Sequence, residues 1–351
     1  MSIKEVTDRD IWNRFLSKSQ YNTFMQTWEW GDFQEKGLSQ RVYRLGLYDE
    51  GELAGICLAV EQVSRWGRFV YCPRGPVLDW TSENIAECIQ NLTEFFRNKG
   101  YFCLRIDPAL VEETGQLLIE MMEKQGFRDA ATFVQVERAW VLDIKDVDEE
   151  TLLHNMRKNS RYYLRQAMKS GVTVRFSDGA ADLSVLTDML CEMSARKQFH
   201  AIQQAYLQKE FEGMSNGSVV NGVVSPLKVV IAEKKDKPVA AALIMFYGME
   251  ASYLHAASND LNGKLQAPYA IIWESIKKAR SLGLERFNFW GVVKDKNYHP
   301  GYPGFGYSNF KRGFGGRLEK YVRTKDYVYD IVPYTIQKFQ EIYRTKRYKG
   351  N

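Results

Sequence analysis

The sequence predicts an α/β protein built from two tandem domains, each with a mixed sheet. One plan of elements occurs twice in the 351 residues: a strand, a tight turn, a second strand, then a helix, a glycine and a further strand. The helix-ending glycines of the two copies, Gly100 and Gly283, lie 183 residues apart. Asp107 and Gly291, at the ends of the last strands, lie 184 residues apart. This near-constant spacing indicates an internal duplication.

The first copy is predicted from turn residues and from the spacing of its apolar residues. Its strands, helix and last strand are expected over residues 42–48, 53–60, 84–98 and 101–106. Ile85, Cys88, Leu92 and Phe96 recur at helical spacing, and Gly100 ends the helix.

The second copy follows the same order. Its elements are expected over residues 229–233, 239–246, 269–280 and 286–290, and Gly283 ends the helix. A strand–hairpin–helix–strand plan of this size is typical of acetyltransferase-like (GNAT-like) domains. Ligands of open α/β sheets bind at the carboxyl ends of strands, so Asp107 and Gly291 lie where a site is expected.

Composition excludes several classes of protein. The hydrophobic content of 45% and charged content of 26% are ordinary for a globular protein, and no apolar run is long enough to cross a membrane. The net charge of +5 permits an anionic partner without requiring one. The five scattered cysteines form no CxxC motif, so neither disulfides nor a metal are expected, and we expect a cytoplasmic protein.

The acyl donor is expected not to be coenzyme A. An acetyltransferase holds the pyrophosphate of that cofactor on a glycine-rich loop at a helix N-terminus. The helices expected at residues 84 and 269 follow Asp79-Trp80-Thr81-Ser82 and Gln266-Ala267-Pro268 instead. We therefore expect no bound cofactor.

A glycine- and aromatic-rich segment, residues 304–316, sets Lys311 between Phe310 and Phe314. Glycines allow a backbone to approach a ligand closely, and aromatic rings exclude water. A lysine held there can stabilise developing negative charge. A glycine-rich hairpin with a surface lysine is the alternative interpretation.

Six short motifs occur in order along this duplicated frame. They are Phe24-Met25-Gln26-Thr27-Trp28-Glu29-Trp30-Gly31, Pro73-Arg74-Gly75-Pro76-Val77, Leu104-Arg105-Ile106-Asp107-Pro108, Ala267-Pro268-Tyr269-Ala270, Phe289-Trp290-Gly291, and Phe310-Lys311 with Phe314-Gly315-Gly316. In this order they resemble the Fem family of peptidoglycan aminoacyltransferases, over nearly the whole chain. Residues 187–213 are too short for the helical arm of the larger members, so the chain is similar to the compact type.

The resemblance implies domain bounds, because in the compact type the last residues return to complete the first domain. The first, precursor-binding domain would comprise residues 1–145 plus 322–351, closed by a helix over residues 334–343. The second domain would comprise residues 146–321.

The resemblance also implies two catalytic residues. Lys311 matches the lysine that stabilises the charged tetrahedral intermediate, although a solvated lysine is the alternative. Asp107 matches an aspartate that orients the nucleophilic amine, although an Asp-Pro turn after a strand is common.

A set of precursor-binding residues follows from the same resemblance. It comprises Trp30, Lys36, Arg74, Tyr206, Tyr253, His255 and Phe310. Lys36 lies two residues after Gln34, which is the position of the family's phosphate-binding lysine, and Arg74 is a second candidate for the phosphates.

The sequence departs from the family pattern at two positions. Ile202 stands where the compact type has a phosphate-binding arginine, which favours a lipid-linked precursor or a clamp from Arg196 or Lys197. His255 stands where a tyrosine is expected, and Tyr253 would supply an aromatic ring on the same face of the strand by period-two alternation.

A basic stripe lies at the domain junction. Arg157, Arg161 and Arg165 recur every four residues, which on one helix would form a single face suited to an RNA backbone. A solvated helix face is the alternative.

The resemblance implies an aminoacyltransferase that moves an amino acid from aminoacyl-tRNA to an amine on the stem peptide of a peptidoglycan precursor. The partners would be aminoacyl-tRNA and a UDP-linked or lipid-linked muropeptide, with peripheral membrane contact, and the protein would be a monomer. A coenzyme A-dependent N-acyltransferase and a non-catalytic module that binds cell-wall precursors are the alternatives.

Overall fold

The structure, a computed structural model, describes residues 1–197, 202–215, 227–263 and 265–349. The chain divides into two compact units: Met1–Glu137 with Lys320–Asn351, and Arg138–Glu319. The chain thus enters the second unit at residue 138 rather than at 146, because residues 138–143 form a strand of the second sheet.

The first part of the chain forms seven strands and four α-helices. The strands are β1 (Ser2–Glu5), β2 (Val42–Asp49), β3 (Glu52–Ser64), β4 (Gly67–Arg74), β5 (Val77–Leu78), β6 (Tyr101–Pro108) and β7 (Arg128–Asp129). The helices are α1 (Arg9–Lys18), α2 (Trp28–Asp32), α3 (Ile85–Phe96) and α4 (Gln116–Lys124). A π-helical turn, Phe33–Gly37, follows α2 directly.

The second unit is also built from strands and helices in mixed order. Its strands are β8 (Arg138–Asp143), β9 (Thr173–Ser177), β10 (Leu227–Lys234), β11 (Lys237–Tyr247), β12 (Glu250–Ser258), β13 (Arg286–Gly291) and β14 (Arg317–Lys320). Its helices are α5 (Glu149–Asn155), α6 (Lys158–Lys169), α7 (Ala180–Lys197), α8 (Gln204–Ser215), α9 (Ala267–Ser281) and α10 (Phe305–Arg312).

The chain then returns to the first unit. Strand β15 (Lys325–Val328) pairs with β6 and β7, and helix α11 (Ile331–Lys349) follows it. Among the described residues, no helix is long and apolar enough to cross a membrane.

The two sheets repeat one topology. The strand order is β1-β2-β3-β4-β6-β15-β7 in the first sheet and β9-β10-β11-β12-β13-β8-β14 in the second. In each sheet the strands on either side of the long helix, β4 with β6 and β12 with β13, are parallel. The duplicated plan is therefore visible in strand order and direction.

The predicted glycines end the helices of the two copies. Gly100 and Gly283 adopt φ angles of 78° and 75°, the left-handed conformation that glycine tolerates best. The apolar faces of α3 and α9 then pack on their sheets, with Leu92 and Phe96 buried in the first core and Ile272 and Ile276 in the second.

Candidate functional site

Lys311 lies in the last turn of α10, a helix rather than the glycine-rich hairpin considered above. Its Nζ donates a hydrogen bond to the backbone carbonyl of Gly291, the last residue of β13, at 2.7 Å. The same Nζ lies 5.2 Å from the ring centroid of Tyr307, one turn earlier in the helix. The fold therefore holds the amine against the carboxyl end of a sheet strand.

The amine of Lys311 has no carboxylate counter-ion in the part of the chain that the structure describes. Burial lowers the pKa of Lys311 to about 7 because the ammonium loses hydration, and no carboxylate among the described residues pairs with it. A cation in such a site can be stabilised by an anion that a substrate brings, and a neutral amine there can accept a proton.

The strand end that meets Lys311 is irregular. Trp290 has a φ of 64°, a conformation that bulky residues rarely adopt, and the pairing of β13 with β8 shifts register at this point. The side chain of Asn288 accepts a hydrogen bond from the backbone N–H of Trp290 at 2.7 Å, which helps to hold the bend. Strained backbone of this kind is concentrated at functional sites.

Aromatic rings and glycines pack α10 against the second core. The ring of Phe310 lies 4.9 Å from Tyr269 and 5.3 Å from Phe314, both edge-on. A Cβ at Gly313 would lie 2.1 Å from the hydroxyl of Ser160. Phe310 is thus a packing residue that fixes α10, while its predicted contact with substrate stays a prediction.

Asp107, the second predicted catalytic residue, is enclosed at the end of β6 in the first unit. It is 1% exposed, and its oxygens accept hydrogen bonds from Tyr71 at 3.1 Å, from the backbone of Gln135 at 3.3 Å and from Arg74 at 3.4 Å. Burial raises the pKa of Asp107, and the charge of Arg74 opposes that rise. An incoming ammonium would have to share the carboxylate with three donors.

Arg74, a predicted candidate for the phosphates, pairs with Asp107 in this structure, and its phosphate role stays a prediction. It is 4% exposed, donates to the carbonyl of Val136 at 2.8 Å and stacks 4.1 Å from the ring of Tyr321. The structure therefore brings two predicted site residues together as a buried ion pair, with little of either open to solvent.

A second group of predicted residues lies around a buried acid that the sequence did not single out. Glu210, on α8, is 4% exposed, and its Oε2 lies 3.8 Å from Nε2 of His255 on β12. That oxygen has no hydrogen-bond partner among the described residues. Tyr206 precedes Glu210 by one helical turn, and burial and the charge of Glu210 raise its pKa.

Glu210 and His255 are both most stable without charge. Burial raises the pKa of Glu210 to about 7 and lowers the pKa of His255 to about 4. Near neutral pH we therefore describe them as a neutral imidazole beside a half-protonated acid rather than as an ion pair.

The prediction that Tyr253 and His255 share a face is wrong, because β12 carries a bulge at Leu254. Tyr253 pairs with Ile244 of β11, whereas His255 pairs with Leu243. Consecutive residues of β11 point to opposite faces. Tyr253 accordingly packs on the core that contains Ile244, while His255 meets α8.

The first-unit motif around Trp30 combines a core residue with an exposed cation. Trp30 packs edge-on against Phe24 and Phe33 at 5.5 and 5.3 Å, and its Nε1 has no hydrogen-bond partner among the described residues. Gln34 is buried. The side chain of Lys36 is 73% exposed and bonds to Asp32 at 2.8 Å, so Lys36 remains accessible to an anion.

The structure describes only part of the region around Ile202, the position at which the compact type has a phosphate-binding arginine. Ile202 is 42% exposed and lies two residues before the first residue of α8. Arg196 pairs with Asp260 and donates to the carbonyl of Ser258 at 3.3 Å. The side chain of Lys197 lies outside the described residues, so this alternative clamp stays a prediction.

The basic stripe is interrupted, in contrast to the prediction of one helix. Arg157 is the extended N-cap of α6, because its backbone N–H donates to the carbonyl of Gly313 at 2.9 Å. Arg161 caps the end of α5 through the carbonyls of Leu153 and His154, at 3.2 and 2.5 Å. Arg165 is exposed.

The stripe begins beside the helix that carries Lys311. Nη1 of Arg157 donates to Oδ1 of Asn309 on α10 at 2.8 Å and to the hydroxyl of Tyr298 at 3.1 Å. The N-terminal end of α6, where the basic residues begin, therefore contacts α10 in the same unit. The spacing of the arginines in the sequence did not indicate this contact.

These features define a protein of two tandem acetyltransferase-like domains, as the sequence predicted. A tandem GNAT protein from the clavulanic acid biosynthesis pathway shares the fold, with a TM-score of 0.53 and 8% identity over 93% of this chain and 98% of that one. The crystal structure of FemX aligns with a TM-score of 0.84 and 16% identity, over 96% of this chain and all of the other.

The chain belongs to the FemAB family, whose model matches residues 7–221 and 224–341. It is 21% identical over 293 residues to the UDP-N-acetylmuramoylpentapeptide-lysine N(6)-alanyltransferase of Weissella viridescens, covering 81% of this chain and 84% of the relative. It is 19% identical to a lipid II:glycine glycyltransferase of Staphylococcus epidermidis, covering 90% of each. The resemblance inferred from the sequence motifs is thereby confirmed.

Proposed function

We propose that this protein is an aminoacyltransferase that moves an amino acid from aminoacyl-tRNA to an amine on the stem peptide of a peptidoglycan precursor. The observation that carries the proposal is Lys311, a half-buried amine at the end of β13 in a FemAB frame, which no carboxylate among the described residues pairs with. The named activities of the Weissella and Staphylococcus relatives support the same reaction class.

The chemistry requires stabilisation of one charged intermediate. The neutral amine of the acceptor attacks the ester carbonyl, a C–N bond forms, and the carbonyl oxygen becomes an oxyanion. The C–O bond to the tRNA ribose then breaks, and the leaving hydroxyl takes up the proton that the amine releases. Lys311 in its charged form would donate a hydrogen bond to the oxyanion, because no carboxylate of the described residues competes for it.

The donor tRNA is expected along the basic residues of α6. Arg165 and Lys169 are exposed there, and Arg157 reaches α10 through Asn309. A backbone of phosphates would complement these charges. The predicted precursor-binding residues remain Trp30, Lys36, Arg74, Tyr206, Tyr253, His255 and Phe310. We expect the protein to act as a monomer in the cytoplasm.

Replacing Lys311 with Met tests the proposal. We expect the transfer rate to fall by roughly 10²–10³, the usual cost of removing one oxyanion donor. The assay supplies charged tRNA with either a UDP-linked or a lipid-linked precursor and detects the product by mass. The exposed Lys296 serves as the matched control, and Lys296→Met should leave the rate unchanged.

Two further outcomes separate the alternatives. Transfer from acetyl-coenzyme A but not from charged tRNA would favour the coenzyme A-dependent N-acyltransferase. Precursor binding without any product from either donor would favour a non-catalytic module. A Lys311→Met variant with near-normal turnover would remove the catalytic role assigned to this residue.

A further inference from the structure

The last helix of the first unit, α11, exposes a row of large apolar side chains. Val332, Ile336, Phe339 and Tyr343 follow one another at intervals of four, three and four residues, which places them on one helical face. They are 64%, 37%, 68% and 67% exposed. An exposed apolar row of this size typically marks an interaction surface.

The opposite face of α11 is fixed on the sheet, so the row cannot turn inward. Arg105 on β6 donates to Asp326 at 2.7 and 2.9 Å and to Glu341 of α11 at 3.1 and 3.2 Å. Tyr334 is 3% exposed and donates to Asp326 at 3.2 Å. These contacts determine which side of the helix meets solvent.

The charge of this segment is strongly positive. Residues 331–351 contain five lysines and arginines and one acidic residue, Glu341, which is bound to Arg105. Lys338 and Arg344 belong to this basic set. An apolar stripe on a basic helix is the pattern of helices that lie in the headgroup region of anionic membranes.

The end of β3 and the turn that leads to β4 add a second group of exposed apolar and basic side chains. Val63 is 77% exposed and Trp66 is 36% exposed. The guanidinium of Arg65 lies 5.3 Å from the ring of Trp66. Tryptophan and arginine are both favoured at a membrane–water interface, where an apolar body and a polar tip are accommodated together.

The turn and the start of α11 lie at the same end of the first unit. A Cβ at Gly67, the residue after Trp66, would lie 3.3 Å from the ring of Phe102. The carbonyl of Phe102 accepts hydrogen bonds from the N–H groups of Tyr329 and Asp330, immediately before α11, at 2.9 and 3.1 Å. Phe102 thus connects the two exposed apolar groups.

We propose that α11 and the β3–β4 turn form a surface that docks on an anionic lipid bilayer. This surface belongs to the first unit, whereas Lys311 belongs to the second. The inference rests on the proposed function and extends it toward precursors held at a membrane. A second copy of the chain fits less well, because a symmetric dimer through this face would oppose two positively charged stripes.

Vesicle co-sedimentation of the purified full chain tests the docking. Binding is expected to vesicles of phosphatidylcholine with phosphatidylglycerol, to weaken in high salt, and to be weak without the anionic lipid. Phe339→Ser and Tyr343→Ser should each weaken binding about tenfold. Lys338→Gln and Arg344→Gln should each weaken it about fivefold.

A matched control separates this surface from general hydrophobicity. Leu117 and Val134 are 81% and 43% exposed elsewhere in the first unit, so Leu117→Ser with Val134→Ser should leave binding unchanged. No tRNA or precursor is present, so the result is independent of transfer activity.

Three outcomes would overturn the proposal. The first is that the native chain fails to bind anionic vesicles. The second is that the control variant loses binding equally. The third is that light scattering detects a dimer that Phe339→Ser dissociates, which would assign the stripe to a second copy of the chain.

Discussion

The charged residues at the ends of two equivalent strands, β6 in the first unit and β13 in the second, differ in whether they have a charged partner. At the end of β6 in the first unit, Asp107 is buried and paired with Arg74. At the end of β13 in the second unit, Lys311 bonds only to a backbone carbonyl and lacks a carboxylate partner among the described residues. The strand orders of the two sheets match, so the two units share one fold. They differ in whether the charged side chain at the strand end is paired with an opposite charge.

The same contrast extends beyond the strand ends. In the first unit the buried Lys325 bonds to Glu123 and Asp129, both at 2.9 Å. In the second unit the buried Glu210 has an oxygen without a hydrogen-bond partner among the described residues, beside His255. Paired buried charges serve structure, whereas groups with shifted pKa values and no partner are typical of sites that act on a ligand.

The largest expected effect is on the stability of the first unit. Asp107→Asn would leave the buried charge of Arg74 without a counter-ion, which typically costs about 3–5 kcal/mol. Urea unfolding followed by circular dichroism measures this loss, and adding Arg74→Met to the same chain should restore part of it. Normal stability with a reduced kcat would instead show that Asp107 acts on the nucleophile, as the sequence predicts.

A second prediction concerns the pH dependence of stability in the second unit. The folded chain retains a proton on Glu210 between its usual pKa of 4.5 and about 7, so this residue makes stability fall as pH rises. The unfolded chain holds the proton of His255 between about 4 and 6.5, so His255 makes stability rise with pH. Over its pH window each group changes the free energy of unfolding by roughly 3 kcal/mol in total, and the two changes oppose each other.

Single variants should expose the two slopes. Stability of Glu210→Gln should increase as pH rises from about 4 to 6.5, and stability of His255→Gln should decrease from about 4.5 to 7. Urea unfolding across this pH range provides the measurement. Flat profiles in both variants would mean that the two groups are solvated, and the contrast between the units would weaken.

The smallest expected effect concerns tRNA. Arg165→Gln with Lys169→Gln should reduce the log–log salt slope of charged-tRNA binding by about 0.7–0.9 for each phosphate that is no longer neutralised. Stability should not change, because these side chains are exposed. The exposed Lys235 and Lys237 give the control, and a slope equally affected by their replacement with Gln would make the α6 stripe an ordinary solvated surface.

Sequence reasoning located the strands of the two repeated units and the helix-ending glycines, because these depend on local periodicity and turn chemistry. It singled out Lys311 from its glycine- and aromatic-rich segment and from the family resemblance, and the catalytic role of Lys311 stays a prediction. It missed the bulge at Leu254. One extra residue changes which face the following side chains take, and the alternation of apolar residues in the sequence fits the strand with or without it. It also missed Glu210, whose burial beside His255 depends on how α8 packs on the sheet. The pairing of Arg74 with Asp107 joins residues 33 positions apart and has no local signal.

The interruption of the basic stripe had the same cause. Arg157, Arg161 and Arg165 fit one helix by spacing, yet the backbone hydrogen bond from Arg157 to Gly313 holds Arg157 in an extended conformation, so α6 begins only at the next residue. Such tertiary contacts override helical propensity, and a periodic pattern does not contain them.

The central claim is that the amine of Lys311 lies in a partly dehydrated site with no carboxylate partner among the described residues, and a direct titration tests it. Lysine side chains labelled at Cε can be followed by NMR as a function of pH, with the Lys311 signal assigned by its disappearance in Lys311→Met. We expect a midpoint at about pH 7. A midpoint near the usual 10.5 would show a solvated lysine and would contradict the account.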